Sequence, residues 1–377
     1  MDFSLDQDYL DIQQRARTLC QSIEHLAHEA DESSEVHPGI LEALQTSALT
    51  ELMVPAQFGG TFEKVDPLAI CVAREVMMAT SSHLDSLFAM QGIGSYAITV
   101  AGTPEQKEQW LPRIAKAEVM PALAITEQDA GSDIRAVGSE IIAGEEGFTL
   151  NGTKAFISNA GSASFYSIFV KEGSGFSMVL VPGDAEGLST TPSPELAAPH
   201  VLGDVSFDNV MLPTSARLGA AGDGMKLVLA TLGVFRVSVG GAALGLAQAA
   251  LEEAVRHTRT REQFGRPLNR LGAIAAMLAD SWTEIEMARL LTYRAAQMAR
   301  DEAPGTTLQH SSMAKLAASE TASKVVDRCV QMMGRFGLVR NSKIERLYRQ
   351  SRPMRIYEGS SEVLRTGIAR ELDAVVS

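Results

Sequence analysis

The residues with chemistry to offer gather in a few short segments of this 377-residue chain. In ALAITEQDAGSDI (Ala122–Ile134) a strand end runs into a polar, glycine-containing loop. There Thr126 and Ser132 present hydroxyls and Gly131 an unobstructed backbone N–H, the groups that receive the carbonyls or phosphates of a ligand. The same residues serve equally as an ordinary polar turn. RIYEGSSEVLR (Arg355–Arg365) sets Glu358 just ahead of a helix that Ser360 can open as N-cap. On its own, a carboxylate in that place is a surface group. Three further segments stand out: NGTKAFISNA (Asn151–Ala160), TREQFGRPL (Thr260–Leu268) and QMMGRFGLV (Gln331–Val339).

Several common chemistries lack their motifs. There is no GxxxxGK[ST] loop, no GxGxxG following a strand, no HExxH, no paired CxxC and no GxSxG elbow. His25 and His28 share a helix face, but two histidines without a third ligand do not make a metal site, and none is expected.

The elements that must position these segments change in texture along the chain. Residues 1–120 read as helices: Tyr9, Ile12, Ala16 and Leu19 recur at helical spacing, as do Leu41, Leu44 and Ala48. A turn is expected at Val54–Gly60, a buried helix over Pro67–Thr80, and another helix from Pro104 with Thr103 as cap. From Pro121 short strands take over. GFTLNGTKAFI alternates around Asn151-Gly152, a hairpin signal, and Phe165–Val170 and Phe176–Val181 flank Gly173–Gly175, a second one. Asp204–Pro213 reads as a further strand. Strands without intervening helices predict a small antiparallel barrel or sandwich. After Gly224 the helical period returns, with Ile274, Met277, Leu278, Trp282 and Ile285 on one face of a long helix and ASETASKVVDRCVQMM in another, which implies a bundle.

Composition bounds the rest. With 45% hydrophobic and 21% charged residues the chain is globular, long enough for two or three domains and a large core. Net charge is −13, which argues against general nucleic-acid binding. The charge is uneven: −11 over residues 1–120, −8 over 121–220 and +6 over 221–377, so the last part is basic enough to meet phosphates. Three scattered cysteines (Cys20, Cys71, Cys329) form no disulfide framework and suit a reducing cytoplasm. No signal-peptide pattern opens the chain, and no apolar run reaches the ~18 residues of a membrane span.

Taken in order across an α-β-α chain, the five segments resemble the acyl-CoA dehydrogenase family of flavoproteins, over essentially the whole sequence. The resemblance implies an N-terminal helical domain (1–120), a middle antiparallel β-barrel domain (121–220) and a C-terminal four-helix bundle (221–377). It also implies FAD bound at a subunit interface within a homotetramer, an acyl-CoA substrate, and an electron-transferring flavoprotein as electron acceptor.

Residue by residue, it implies that Leu123, Ile125 and Thr126 meet the flavin. Gly131 and Ser132 would lie near the flavin phosphates, with Ser132 also touching the pantetheine of the substrate. Phe156, Ile157 and Ser158 would line the ring, Phe156 standing where many relatives have Trp; the swap keeps an aromatic surface and loses an N–H donor. Arg261 would pair with the FAD pyrophosphate of a neighbouring subunit, with Gln263 and Phe264 beside it. Gln331 and Gly334 would approach the adenosine half, although Arg335 stands where relatives commonly have Gly. Ser360 and Glu362 would complete the cofactor contacts, and Arg236 and Gly359 would reach the substrate.

Glu358 would be the base that removes the thioester α-proton while flavin N5 accepts the β-hydride, giving a trans-2-enoyl product. A dry pocket raises a carboxylate's pKa and makes it a better base. The family's oxyanion donors are this Glu's own backbone N–H and a ribityl hydroxyl of FAD. Relatives that carry the base elsewhere have it where this chain has Phe235. Gly233 replaces an Asp common in relatives, which leaves a carrier-protein thioester as an alternative substrate. A same-fold oxidase or monooxygenase is the other alternative; monooxygenases of the family commonly lack the Glu. Ser86, Ala89, Met90 and Ile93 would face the acyl chain on one helix, or simply pack in the core.

Overall fold

The computed structural model describes residues 4–145, 147–301 and 308–376. Its first stretch is helical, as the spacing requires. α1 (Gln7–Asp31) buries Tyr9, Ile12, Ala16, Leu19 and Ile23, one stripe at three- and four-residue intervals. α2 (Pro38–Thr46) starts with Pro at its first position and buries Ile40 and Leu44. α3 (Pro67–Thr80) and α4 (Ser82–Ala101) are apolar on most sides and mostly buried. α5 (Pro104–Ala115) opens on a capping box: Gln106 N donates to Thr103 Oγ1 at 3.2 Å and Thr103 N to Gln106 Oε1 at 2.9 Å.

The middle of the chain forms one sheet from β1 (Pro121–Ala124), β2 (Glu140–Ala143), β3 (Phe148–Ser158), β4 (Phe165–Glu172), β5 (Gly175–Pro182), β6 (Leu188–Pro192), β7 (Leu202–Leu212) and β8 (Arg217–Leu218). The strand order is β6-β7-β3-β2-β4-β5-β8, with β1 also on β4. This corrects the expected closed antiparallel barrel. The sheet is open, because its end strands β6 and β8 pair only inward, and it is mixed, because β1 and β2 both meet β4 in parallel.

The hairpin expected at Asn151-Gly152 is also corrected. β3 runs straight through that dipeptide, and the β2–β3 turn lies earlier, where Gly144 N donates to Gly147 O at 2.8 Å. Gly152 is there for space: a Cβ on it would fall 2.3 Å from Ser139 Oγ. The β4–β5 hairpin forms as expected, turning at Gly173, which has φ 57°. One sheet face buries Leu150, Ile157, Tyr166, Ile168, Val181, Val205 and Phe207. β4 is covered on its other face too, where Phe165 packs on Trp110 of α5 with ring centroids 4.5 Å apart.

Among the described residues, five helices follow the sheet, one more than expected: α6 (Gly224–Thr260), α7 (Gly272–Asp301), α8 (Leu308–Met333), the short α9 (Lys343–Ser351) and α10 (Ser361–Val376). A two-residue hairpin, β9 (Glu262–Gln263) with β10 (Arg266–Pro267), separates α6 from α7. α6 is long and apolar enough to cross a membrane by composition alone. However, 89% of its most apolar window is packed inside the protein. Small residues on α6 (Ala243, Ala247, Ala250) meet Ile285, Ala318, Val325 and Val326 in the core of this region.

The chain divides into two compact units: one of Met1–His28, Pro67–Asp85 and Arg236–Ser377, the other of Glu29–Asp66 and Ser86–Phe235.

Candidate functional site

In the first unit the chain leaves α9, turns through Pro353–Arg355 and reaches Glu358 two residues before Ser360 caps α10. The expected cap forms: Val363 N donates to Ser360 Oγ at 3.4 Å. Glu358 has φ 52°, a left-handed conformation that costs a non-glycine residue about 1 kcal/mol or more. Two buried cations hold it there. Arg236 Nε donates to the Glu358 carbonyl oxygen at 2.8 Å, and Lys315 Nζ donates to the Gly359 carbonyl oxygen at 2.7 Å. Arg236 is itself anchored, Nη1 donating to Ser312 Oγ at 3.0 Å. Gly359 follows at φ 103°, and a Cβ there would sit 3.0 Å from Leu364 Cδ2.

The Glu358 side chain is half-buried, and its Oε2 is sealed from solvent without a hydrogen-bond partner. Burial raises its pKa above the ordinary carboxylate range; the charges of Arg74, Arg236 and Lys315 pull it back, and Asp85 adds to the rise. Arg74 is fixed by a bidentate pair to Asp85 (2.9 and 2.7 Å) and donates to Ser238 Oγ at 2.9 Å. Lys315 is lowered to about 8 by burial, partly offset by the Glu358 charge. The result is a dry carboxylate that stays ionisable because cations surround it.

Sequence reasoning missed Arg74, Asp85, Ser312 and Lys315. No motif marks them, yet Arg74 in PLAICVAREVMM and Lys315 in SSMAKLAAS are single cations within apolar or small-residue helical stretches. A charge on a face that must be buried needs partners, and that is the legible signal.

The second unit holds the ITEQDAGSD loop and the strand KAFIS. Lys154, fully buried on β3, donates to Ile125 O at 3.1 Å and to Glu127 Oε1 at 2.8 Å. Ser139 N also donates to Glu127 Oε1, at 2.9 Å. Burial alone would raise Glu127, but hydrogen bonds from Gly138, Lys154 and Ser139 outweigh it and hold the carboxyl near about 2. Beside this staple Ala155 N donates to Thr126 O at 2.9 Å, and a register slip between Lys154 and Ile157 puts Phe156 at φ 55° with 48% of its surface exposed. Thr126, Leu123, Ile125 and Ser158 are half-buried; Gly131 and Ser132 are exposed. Ile157 departs from expectation: it is buried in the sheet core, so its side chain faces away from any ligand on the Phe156 side.

Other expected residues are placed as follows. Arg261, Gln263 and Phe264 sit on the exposed β9–β10 hairpin, Phe264 at φ 52° and 89% exposed. Gln331 and Gly334 are exposed at the end of α8. The two segments converge on Phe336, whose ring lies 5.7 Å from the Arg261 guanidinium and 5.0 Å from that of Arg335. Arg335 therefore lies over an aromatic ring. Glu362 is exposed in the first turn of α10. Arg236, expected at the substrate, is buried, its guanidinium donating to the Glu358 carbonyl and to Ser312. Phe235, fully buried, packs edge-on to Tyr96 at 5.5 Å, so that position carries no second base. Ala89 and Met90 are buried, and Ser86 and Ile93 half-buried, on α4.

In the second unit Phe156 is a large aromatic held outward at left-handed φ and a Cβ on Gly131 would meet nothing within 4 Å; in the first unit the same is true of Phe264 and Gly334, so each unit offers an aromatic face and open backbone of the kind a flavin dinucleotide can use. The class is set by the whole chain, a flavin-dependent oxidoreductase of helix–sheet–helix order.

Comparison with known proteins is specific. Residues 6–118, 122–210 and 222–372 match the N-terminal, middle and C-terminal domains of acyl-CoA dehydrogenase. Acryloyl-CoA reductase (NADH) of Anaerotignum propionicum is 34% identical over 387 residues, 99% of this chain and 96% of that protein. Cyclohexane-1-carbonyl-CoA dehydrogenase of Geobacter metallireducens is 30% identical over 96% of this chain and 95% of its own. The butyryl-CoA dehydrogenase structure from Megasphaera elsdenii superposes with a TM-score of 0.94 at 27% identity, covering 99% of this chain and all of that one. The chain belongs to the acyl-CoA dehydrogenase family, and it is a FAD-dependent oxidoreductase.

Proposed function

We propose that the protein dehydrogenates an acyl thioester, acyl-CoA to trans-2-enoyl-CoA, with Glu358 as the base. The observation that carries this is the Glu358 carboxylate itself: desolvated, unpartnered at Oε2, and clamped through its own carbonyl and that of Gly359. Glu358 takes the Cα proton, and its backbone N–H would donate to the thioester oxygen as negative charge develops there. The Cβ–H pair departs as hydride, and the Cα–Cβ double bond forms. Bound FAD supplies the hydride acceptor. Thr126, Ser158 and the outward Phe156 would hold the ring, while Gly131, Ser132, Arg261, Gln263, Phe264, Gln331, Gly334, Ser360 and Glu362 would contact the rest of the cofactor, and Gly359 the substrate.

A carrier-protein thioester is the second reading. It is favoured by Gly233 and by Arg236, since the cation expected at the pantetheine or nucleotide is spent on Glu358. The finer organisation is read as domains over 1–120, 121–220 and 221–377 and as a homotetramer in the cytoplasm, acting in fatty acid metabolism and passing electrons to an electron-transferring flavoprotein. The exposed Trp282 (63%), Met287 (66%) and Leu290 (52%) on α7 support subunit contacts, and light scattering of the holoprotein tests them.

The test of the reaction is anaerobic mixing of yellow holoprotein with CoA and carrier-protein acyl thioesters. Bleaching of the flavin band is expected. A colourless protein that cannot be reconstituted with FAD overturns the reading.

A further inference from the structure

Phe336 lies in the turn Gly334–Leu338 that follows α8, and two arginines gather on its ring. The Arg335 guanidinium stands 5.0 Å from the ring centroid and that of Arg261 5.7 Å, with the His257 ring 5.2 Å away. All four residues belong to the first unit. The framework fixes them there. Arg261 N donates to His257 O at 2.9 Å as the chain leaves α6. Gly337 seats the turn on α8, where a Cβ would fall 2.7 Å from Val330 O.

Arg261 and Arg335 are exposed, and neither guanidinium has a hydrogen-bond or ion-pair partner among the described residues. Elsewhere in this unit arginines are matched to carboxylates: Arg289 with Glu75, Arg328 with Glu284, Arg349 with Glu345 and Arg355 with Glu320. A guanidinium held against an aromatic ring is attracted by the ring's negative face and makes no conventional hydrogen bond to it, so its N–H donors stay available. Two like charges gathered on one ring repel each other. His257 adds no third charge, since burial and then the Arg261 charge lower its pKa. An anion that meets both guanidiniums relieves the repulsion, and phosphate oxygens match the fork of N–H donors that each presents.

We infer that Arg335 grips the pyrophosphate of bound FAD together with Arg261, with Phe336 as the seat that holds both guanidiniums ready. This rests on the reading that puts Arg261 at the FAD pyrophosphate, and it adds a second cation that the reading does not contain.

Yellow holoprotein is diluted, and FAD release is followed as the rise of free-flavin fluorescence. The measurement is made at about 0.1 M and about 1 M KCl, between which the screening length falls from about 10 to about 3 Å. Arg335→Gln is expected to weaken FAD retention about tenfold or more at the lower salt, the scale of a lost charge-assisted contact. At the higher salt the loss should shrink to about threefold or less. Arg335→Lys keeps the charge and should recover most of it. Phe336→Leu removes the seat and should weaken retention about threefold, which keeps the test intact should Arg335→Gln fold poorly. Wild-type retention in both Arg335→Gln and Phe336→Leu overturns the inference. So does a loss that is equal at both salts and not recovered by Arg335→Lys, or weakened acyl-CoA binding with FAD retention untouched. Bleaching by acyl thioesters is read separately on the wild type. Salt-dependent retention through Arg335 without bleaching sinks the dehydrogenase reading and leaves this inference standing; bleaching with retention indifferent to Arg335 does the reverse.

Discussion

Arg236 Nε donates to the carbonyl oxygen of Glu358 across 2.8 Å, so the guanidinium grips Glu358 by its backbone and not by its carboxylate. A direct ion pair would tie up the proton-accepting oxygen and depress its basicity. Holding the carbonyl keeps the cation's field near the carboxylate while leaving Oε2 without a protein partner.

Glu358→Gln is expected to keep the yellow holoprotein and slow anaerobic bleaching by about 10³-fold, the scale of a lost general base. It should also flatten a pH dependence of stability. Glu358 has its folded pKa raised by burial. Its contribution is therefore fully present below the unfolded pKa and is lost as pH rises through the folded value. Thermal melts between acid and neutral pH should show that decline in the wild type and a smaller one in the variant.

Lys315→Met removes a clamp on Gly359 and a cation facing Glu358. Bleaching should slow roughly tenfold or more, a consequence of misplacing the base. Because the Lys315 charge lowers the Glu358 pKa, its loss moves the acid limb of the rate profile to higher pH. Lys315→Arg, which keeps the charge, should leave the limb in place. A limb unmoved in Lys315→Met shows the lysine to be structural only.

Gly359→Ala forces a side chain into φ 103° with its Cβ 3.0 Å from Leu364 Cδ2. A loss of about 1–3 kcal/mol is expected from the backbone alone, measured by denaturant titration. Activity should fall further than stability, since α10 and Glu358 must shift apart.

Lys154→Met leaves Glu127 without its buried cation. Breaking such a pair costs about 3 kcal/mol or more, and FAD should dissociate more readily, read as rising free-flavin fluorescence on dilution. Glu127 is held down at about 2. Its stabilisation is thus present above the unfolded carboxylate pKa and is lost as pH falls towards about 2. The wild type should release FAD on acidification across that window, and the variant should release it at higher pH.

Helix starts were readable because capping is local: Thr103 with Pro104, and Ser360 before α10, depend on residues within one turn. The β4–β5 hairpin was readable for the same reason, with Gly173 between two apolar runs. Asn151-Gly152 misled because the same dipeptide serves a different need. The glycine there admits Ser139, which leads into the neighbouring strand β2, and strand partners are set by long-range pairing that a local signal does not carry.

The sequence alone determined the order of helical and strand segments, the family and the flavin, and singled out Glu358 as the candidate base, since each rests on contiguous residues whose types survive any rearrangement of the chain. The tertiary structure decided what surrounds that carboxylate. Arg74, Arg236 and Lys315 come from three different helices, and Glu358 gains its dryness and its field only when burial removes water and brings those charges together. The open, mixed sheet was decided there too, because hydrogen bonds between distant segments are a property of the folded chain and leave no local trace in its sequence.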